Sequence, residues 1–88
     1  MKKRNNRRMM ITDDDILRFA MNLRAVRKFR GYTQGDLAER AGLSNASCIA
    51  TYECANSYPN LISALAIADA LHVDIRRLVM DDLTNEYQ

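Results

Sequence analysis

Residues 23–44 read LRAVRKFRGYTQGDLAERAGLS, and glycines punctuate them. Gly31 ends an amphipathic run in which Ile16, Phe19, Leu23 and Val26 recur at helical spacing. It takes the place just past a helix where the backbone turns left-handed and a Cβ is unfavourable. Thr33, Gln34, Gly35 and Asp36 then form a capping box: the threonine hydroxyl accepts from the Asp36 amide, and the Asp36 carboxylate reaches back to the threonine amide. Leu37, Ala38 and Ala41 give the following helix a narrow apolar face, and Gly42 closes it. The spacing predicts helices over about 13–30 and 34–41, with a tight chain reversal on each side of the second.

Upstream, Thr12 and Asp15 form a box of the same kind, and Asp13, Asp14 and Asp15 put carboxylates at the positive end of the helix dipole. Downstream, Ser44 or Asn45 caps a third helix that runs to about Cys54 with Ile49 and Tyr52 facing inward. Residues 55–60 interrupt the pattern. Because Ala55 stands just past the third helix, Asn56 is expected to adopt the left-handed conformation there. Pro59 fixes the chain, and Asn60 caps a fourth helix with Leu61, Leu65, Ala68 and Leu71 as its apolar seam and His72 at its end. Asp74 caps a short last helix carrying Ile75, Leu78 and Val79. No segment alternates as a half-buried strand does, and no internal repeat appears. The expected fold is all-α, with five helices.

At 88 residues the chain is expected to be one small domain, burying about 60–65% of the surface its unfolded form exposes, so oligomerisation is expected. The net charge of +2 hides a division. Lys2, Lys3, Arg4, Arg7 and Arg8 make residues 1–12 a basic arm, expected to be flexible, whereas residues 13–88 hold eight basic and eleven acidic groups. Residues 13–80 form the expected domain body, and 81–88 an acidic tail containing Asp81, Asp82 and Glu86. Arg24, Arg27, Lys28 and Arg30 form a second basic cluster. This polarity orients the molecule toward a polyanion. No apolar run approaches the ~20 residues of a membrane span, and the start lacks the apolar core of a secretory signal. Cys48 and Cys54, six apart, suggest neither a disulfide nor a metal pair, which fits a reducing cytoplasm. His72 has no second ligand at useful spacing. Neither metal, cofactor nor small-molecule ligand is expected, and no nucleophile–base pairing suggests an enzyme.

The run at 23–44, followed by IATYE at 49–53 and PNLISALAIADALHVDIRRLV at 59–79, resembles the phage-repressor and Cro-type (XRE-like) helix-turn-helix family over about two-thirds of the chain. The features in register are Arg27 before Gly31, Thr33-Gln34, Leu37-Ala38, Gly42, Glu53, Pro59, and the Leu65, Ala68, Ala70, Leu71 spacing. The resemblance implies a lambda-repressor-like domain that binds double-stranded DNA as a homodimer on a two-fold operator and regulates transcription, as a repressor of phage or mobile-element type. It implies a buried ion pair between Arg27 and Glu53, and a DNA-backbone contact from Gln34. Arg24, Lys28, Arg30, Thr33, Asn56, Ser57 and the five basic residues of the arm are the further expected backbone contacts.

The helix that would read bases departs from the family. GLSNASCIATYE, residues 42–53, holds no Lys, Arg or Gln, and it has one residue more than usual between the turn serine and Ile49. If the turn absorbs that residue, Asn45 becomes the cap, and Ala46, Ser47, Ala50 and Thr51 face outward. Such side chains offer hydroxyls and methyl groups but no bidentate guanine or adenine contact. Specificity then rests partly on DNA shape and on the arm. The rival reading is a protein-interaction module, antitoxin-like or an adaptor, with weak or no DNA binding. For dimerisation, Val79, Leu83 and Tyr87 would form one apolar stripe if the fifth helix continued through the tail, with Leu17 and Met21 on the first helix as the next choice.

Overall fold

Each helix begins on a side chain that the sequence places there for it. Thr12 Oγ1 accepts from the Asp15 amide (3.2 Å) while Asp15 accepts from the Thr12 amide (3.1 Å), and Thr33 and Asp36 exchange the same pair at 2.9 and 3.0 Å. Asn45, Asn60 and Asp74 accept from the amides of Ser47, Ser63 and Arg76. The resulting elements are α1 (Asp13–Phe29), α2 (Gln34–Arg40), α3 (Ala46–Glu53), α4 (Leu61–Leu71) and α5 (Ile75–Met80), seen in a computed structural model that describes residues 12–87. The all-α, five-helix expectation holds, and Asn45 caps α3 after the connection at 41–45.

The first four helices end in the same way. In each, two successive amides beyond the helix fold back onto its last carbonyls, as in Tyr32 to Arg27 and Gly31 to Lys28, or Leu43 to Ala38 and Gly42 to Glu39. The residue at the bend is left-handed: Gly31 (φ +79°), Gly42 (φ +74°), Ala55 (φ +60°) and His72 (φ +61°). The third of these corrects an expectation. Ala55, not Asn56, takes the left-handed place, because the Asn56 amide is drawn back to the Thr51 carbonyl and the preceding residue must make the bend.

Phe19, Leu23 and Val26 of α1 meet Leu37 and Ala38 of α2, Ile49 of α3, Ile67, Ala68 and Leu71 of α4 and Leu78 of α5 in one core. The seam expected for α4 is misplaced in its first half. Leu61 is 69% and Leu65 40% exposed, because the opening turns of α4 run past the core and only Ile67, Ala68 and Leu71 reach it.

A third correction concerns the end of the chain. α5 stops at Met80, and Asp81 is extended (ψ 164°), so Val79, Leu83 and Tyr87 form no continuous stripe. A buried side chain on α1 redirects the backbone: Asn22 Nδ2 donates to the carbonyls of Leu78 (2.9 Å) and Asp81 (2.8 Å), and its Oδ1 accepts from the Leu83 amide (3.0 Å). Both amide hydrogens of Asn22 and one lone pair of its carbonyl oxygen are thus taken by backbone groups that would otherwise lie unpaired. Leu83 consequently drops into the core, fully buried, and Tyr87 lays its ring edge-to-face on Phe29 at 5.1 Å. The acidic tail is therefore part of the domain body. Arg77 ties it further through exposed contacts to Asp81 (3.0 Å) and Glu86, which add little in water.

Asn22→Ala would strand two carbonyls and an amide, and we expect a loss on the order of 3 kcal/mol in denaturant unfolding; a loss below about 1 kcal/mol would show that the tail is held by other contacts. Ala55→Gly should act in the opposite direction. Relief of left-handed strain, less the added freedom of the unfolded chain, predicts a gain of about 0.5–1 kcal/mol, read as a rise of several degrees in thermal midpoint.

Candidate nucleic-acid interface

α2 and α3 pack directly against each other. Small residues face each other where the first turns of the two helices meet: a Cβ placed on Gly35 would lie 3.9 Å from Ala46 Cβ, an ordinary van der Waals separation at which an alanine would also fit. Between them the chain turns through Gly42 and buries part of Leu43.

The far end of α3 is fixed by a charged network. Arg27 Nε and Nη2 grip the two Glu53 oxygens at 2.6 and 3.0 Å, a bidentate pair, and Arg27 Nη1 donates to the Tyr32 carbonyl at 2.8 Å. Gln34 Nε2 donates to Glu53 Oε1 at 3.1 Å. One carboxylate thus joins α1, the α1–α2 turn, the start of α2 and the end of α3. The side chains of Arg27 and Glu53 are 12% and 5% exposed, so the pair is largely withdrawn from water, and each nitrogen of the guanidinium is already occupied. Arg27 is a structural residue in this arrangement and not a free phosphate contact.

Thr33 Oγ1 and amide hold Asp36, whose carboxyl lies below its ordinary range chiefly through the Thr33 backbone hydrogen bond. Burial pushes the Tyr52 phenol up.

The solvent face of α3 carries what the sequence suggested, already partly engaged with itself. Asn45 Oδ1 accepts from both the amide and the hydroxyl of Ser47, and Thr51 Oγ1 donates to the Ser47 carbonyl at 2.8 Å. Ala46 and Ala50 are half-buried. Left for an incoming molecule are the Asn45 amide nitrogen, which makes no hydrogen bond among the described residues, the lone pairs of the two hydroxyls, and the methyls of Ala46, Ala50 and Thr51. Asn56 and Ser57 are exposed in the connection that follows α3.

The basic residues divide. Arg24 and Lys28 are exposed, roughly 60° and 100° around α1 from Arg27 in the same sense at 100° per residue, and so stand together to one side of the Arg27 face that meets α3. Arg30 does not join them. Its Nε donates to the Leu71 carbonyl at 3.0 Å, and its guanidinium lies 5.6 and 5.8 Å from the ring centres of Phe29 and Tyr87, so the expected phosphate ligand instead closes the C-terminal end of α4. The helix-end carbonyls, left without partners of their own, attract it there. Arg40, overlooked in the sequence reading, is exposed over the Tyr32 ring at 4.5 Å, and its position four after Asp36 on α2 was the available sign. Lys2, Lys3, Arg4, Arg7 and Arg8 lie outside the described residues. Between Arg40 and Arg76 there is no Lys or Arg at all.

No protein-family model, curated protein or solved structure matches the chain.

Arg27→Ala and Glu53→Ala should each cost on the order of 3 kcal/mol, because each leaves the opposite charge desolvated. The double variant should be far less damaged than the sum of the two. Additive losses would mean the two side chains contribute separately, despite their contact.

Proposed function

We propose that the protein is a sequence-specific DNA-binding regulator of transcription, a repressor acting as a homodimer on a two-fold operator. The observation that carries this reading is the bracing of α3: capped by Asn45 at one end, clamped through Glu53 at the other, and backed by α2 across Gly35 and Ala46, it presents an outer face of small side chains. A rigid helix without bulk on its outer face can lie deep in the major groove. Its methyls suit thymine, and its hydroxyls and the Asn45 amide nitrogen suit single donor or acceptor positions on base edges. Gln34 keeps one N–H and its carbonyl free after its bond to Glu53, and with Thr33, Arg24, Lys28, Asn56 and Ser57 it supplies the expected backbone contacts. The basic arm adds charge that the body lacks.

One observation favours the second reading, a protein-interaction module. The run of residues 41–75 bears only acidic charges, Glu53, Asp69 and Asp74, apart from His72, so α3 itself offers a polyanion no attraction.

Selection of bound fragments from a random duplex pool separates the two. Recovery of a palindrome supports the first reading; retention of nothing above background at low salt supports the second. Where binding is found, its logarithm should fall with log salt by about 0.9 per phosphate neutralised, and removal of residues 1–8 should reduce both affinity and slope. Ser47→Ala or Thr51→Ala should change the preferred sequence and cost about 1–3 kcal/mol on the best site. Equal loss on all sequences would remove those residues from base readout.

A further inference from the structure

The most anomalous surface of the described residues lies at the start of α4 and not on α3. Leu61 is 69%, Ile62 74%, Tyr58 50% and Leu65 40% exposed, and Leu61 forms one wall of a groove of about 260 Å³ between α1, α4 and α5, floored by Ile16, Phe19 and Val79, with one charged residue, Asp15, at its margin, where its carboxylate accepts from the Thr12 amide and hydroxyl. A small monomer seldom leaves so many large aliphatic groups together in water. Each of them was assigned to the core or passed over in the sequence reading, and none contributes to the network that holds α3.

We propose that this surface, centred on Leu61, Ile62 and Leu65 with Tyr58 at its edge, binds a second copy of the chain in a two-fold contact. Charge identifies the occupant. From Cys54 to Ala68 no side chain is acidic, basic or imidazole, in a protein of which 27% of the residues are charged. Around a two-fold axis each group faces its own copy, so every charge near the axis meets a like charge; a surface without charge is the one that can pair with itself. A different protein partner would be met more selectively by charges complementary to its own, and this surface offers only Asp15, whose carboxylate is engaged by Thr12. The competing apolar surface on α1 is more heavily charged: Leu17 and Met21, each 51% exposed, stand among Asp14, Arg18 and Asp82.

For the DNA-binding function proposed, the contact would fix geometry: Tyr58 follows Glu53, the last residue of α3, by one short connection, so pairing at this surface sets the two α3 helices in a fixed relation across the axis.

The test is sedimentation equilibrium of the full chain without DNA, over a concentration series. The parent is expected to dimerise. Ile62→Glu and Ile62→Lys, at a position three-quarters exposed and hence neutral to the core, should each weaken association by about ten- to hundredfold, and mixing the two variants should restore a heterodimer. Circular dichroism serves to verify that helix content is retained; should either variant lose it, Leu61→Gln with Leu65→Gln, which adds no charge, is measured in its place with the same expected weakening. A parent that stays monomeric throughout, or variants as dimeric as the parent, overturns the proposal. Since DNA is absent, failure to find an operator leaves this result standing, and a monomeric parent leaves operator selection standing.

Discussion

The pair between Arg27 and Glu53 is the constraint on which the arrangement of the helices depends. Withdrawing two opposite charges from water is costly, and the cost is offset only if every donor and acceptor left over finds a partner. Here the remaining Arg27 nitrogen goes to Tyr32 and the second lone pair of Glu53 Oε1 to Gln34, so the pair can stay buried only when the α1–α2 turn, the start of α2 and the end of α3 are all in place. A hydrophobic contact at the same spot would hold the helices together but leave their angle free to drift. The charged network instead specifies one orientation.

The helix ends make the same point by local means. Four of them use the left-handed bend, and two of those bends are made by residues with a Cβ, Ala55 and His72. The strain is tolerated where the fold gains most from a sharp turn, just after α3 and just before α5. The bend at Ala55 releases the chain from α3 and leads it into the connection carrying Asn56, Ser57 and Tyr58.

What was legible in the sequence had local causes. A capping box is complete within four residues, so Thr12 with Asp15 and Thr33 with Asp36 announce their helices without reference to anything distant. Arg27 and Glu53, 26 residues apart, have no local signature, and only the resemblance placed them together. Periodicity identifies the apolar face of a helix but not how far the core extends beneath it, which is why Leu61 and Leu65 were misassigned. Asn22 sits on the buried side of α1 between Phe19 and Leu23, and one amide there reads as an interruption until the carbonyls it serves, nearly sixty residues away, come into view. The stripe through Leu83 failed for the same reason: helical spacing says which residues would align if the helix continued, and nothing in the tail said that it would.

The Asn22 clamp has a kinetic consequence. The helices α2 and α3 meet across a few residues and can associate early, whereas the clamp closes a loop from Asn22 to Leu83, 61 residues apart, whose closing entropy must be met before its hydrogen bonds and the burial of Leu83 give any return. We therefore expect the clamp to form after the rate-limiting step of folding. Interactions made that late govern how slowly the native state opens, with little influence on how fast it assembles. The polar residue in the middle of α1 is then a determinant of the lifetime of the folded protein.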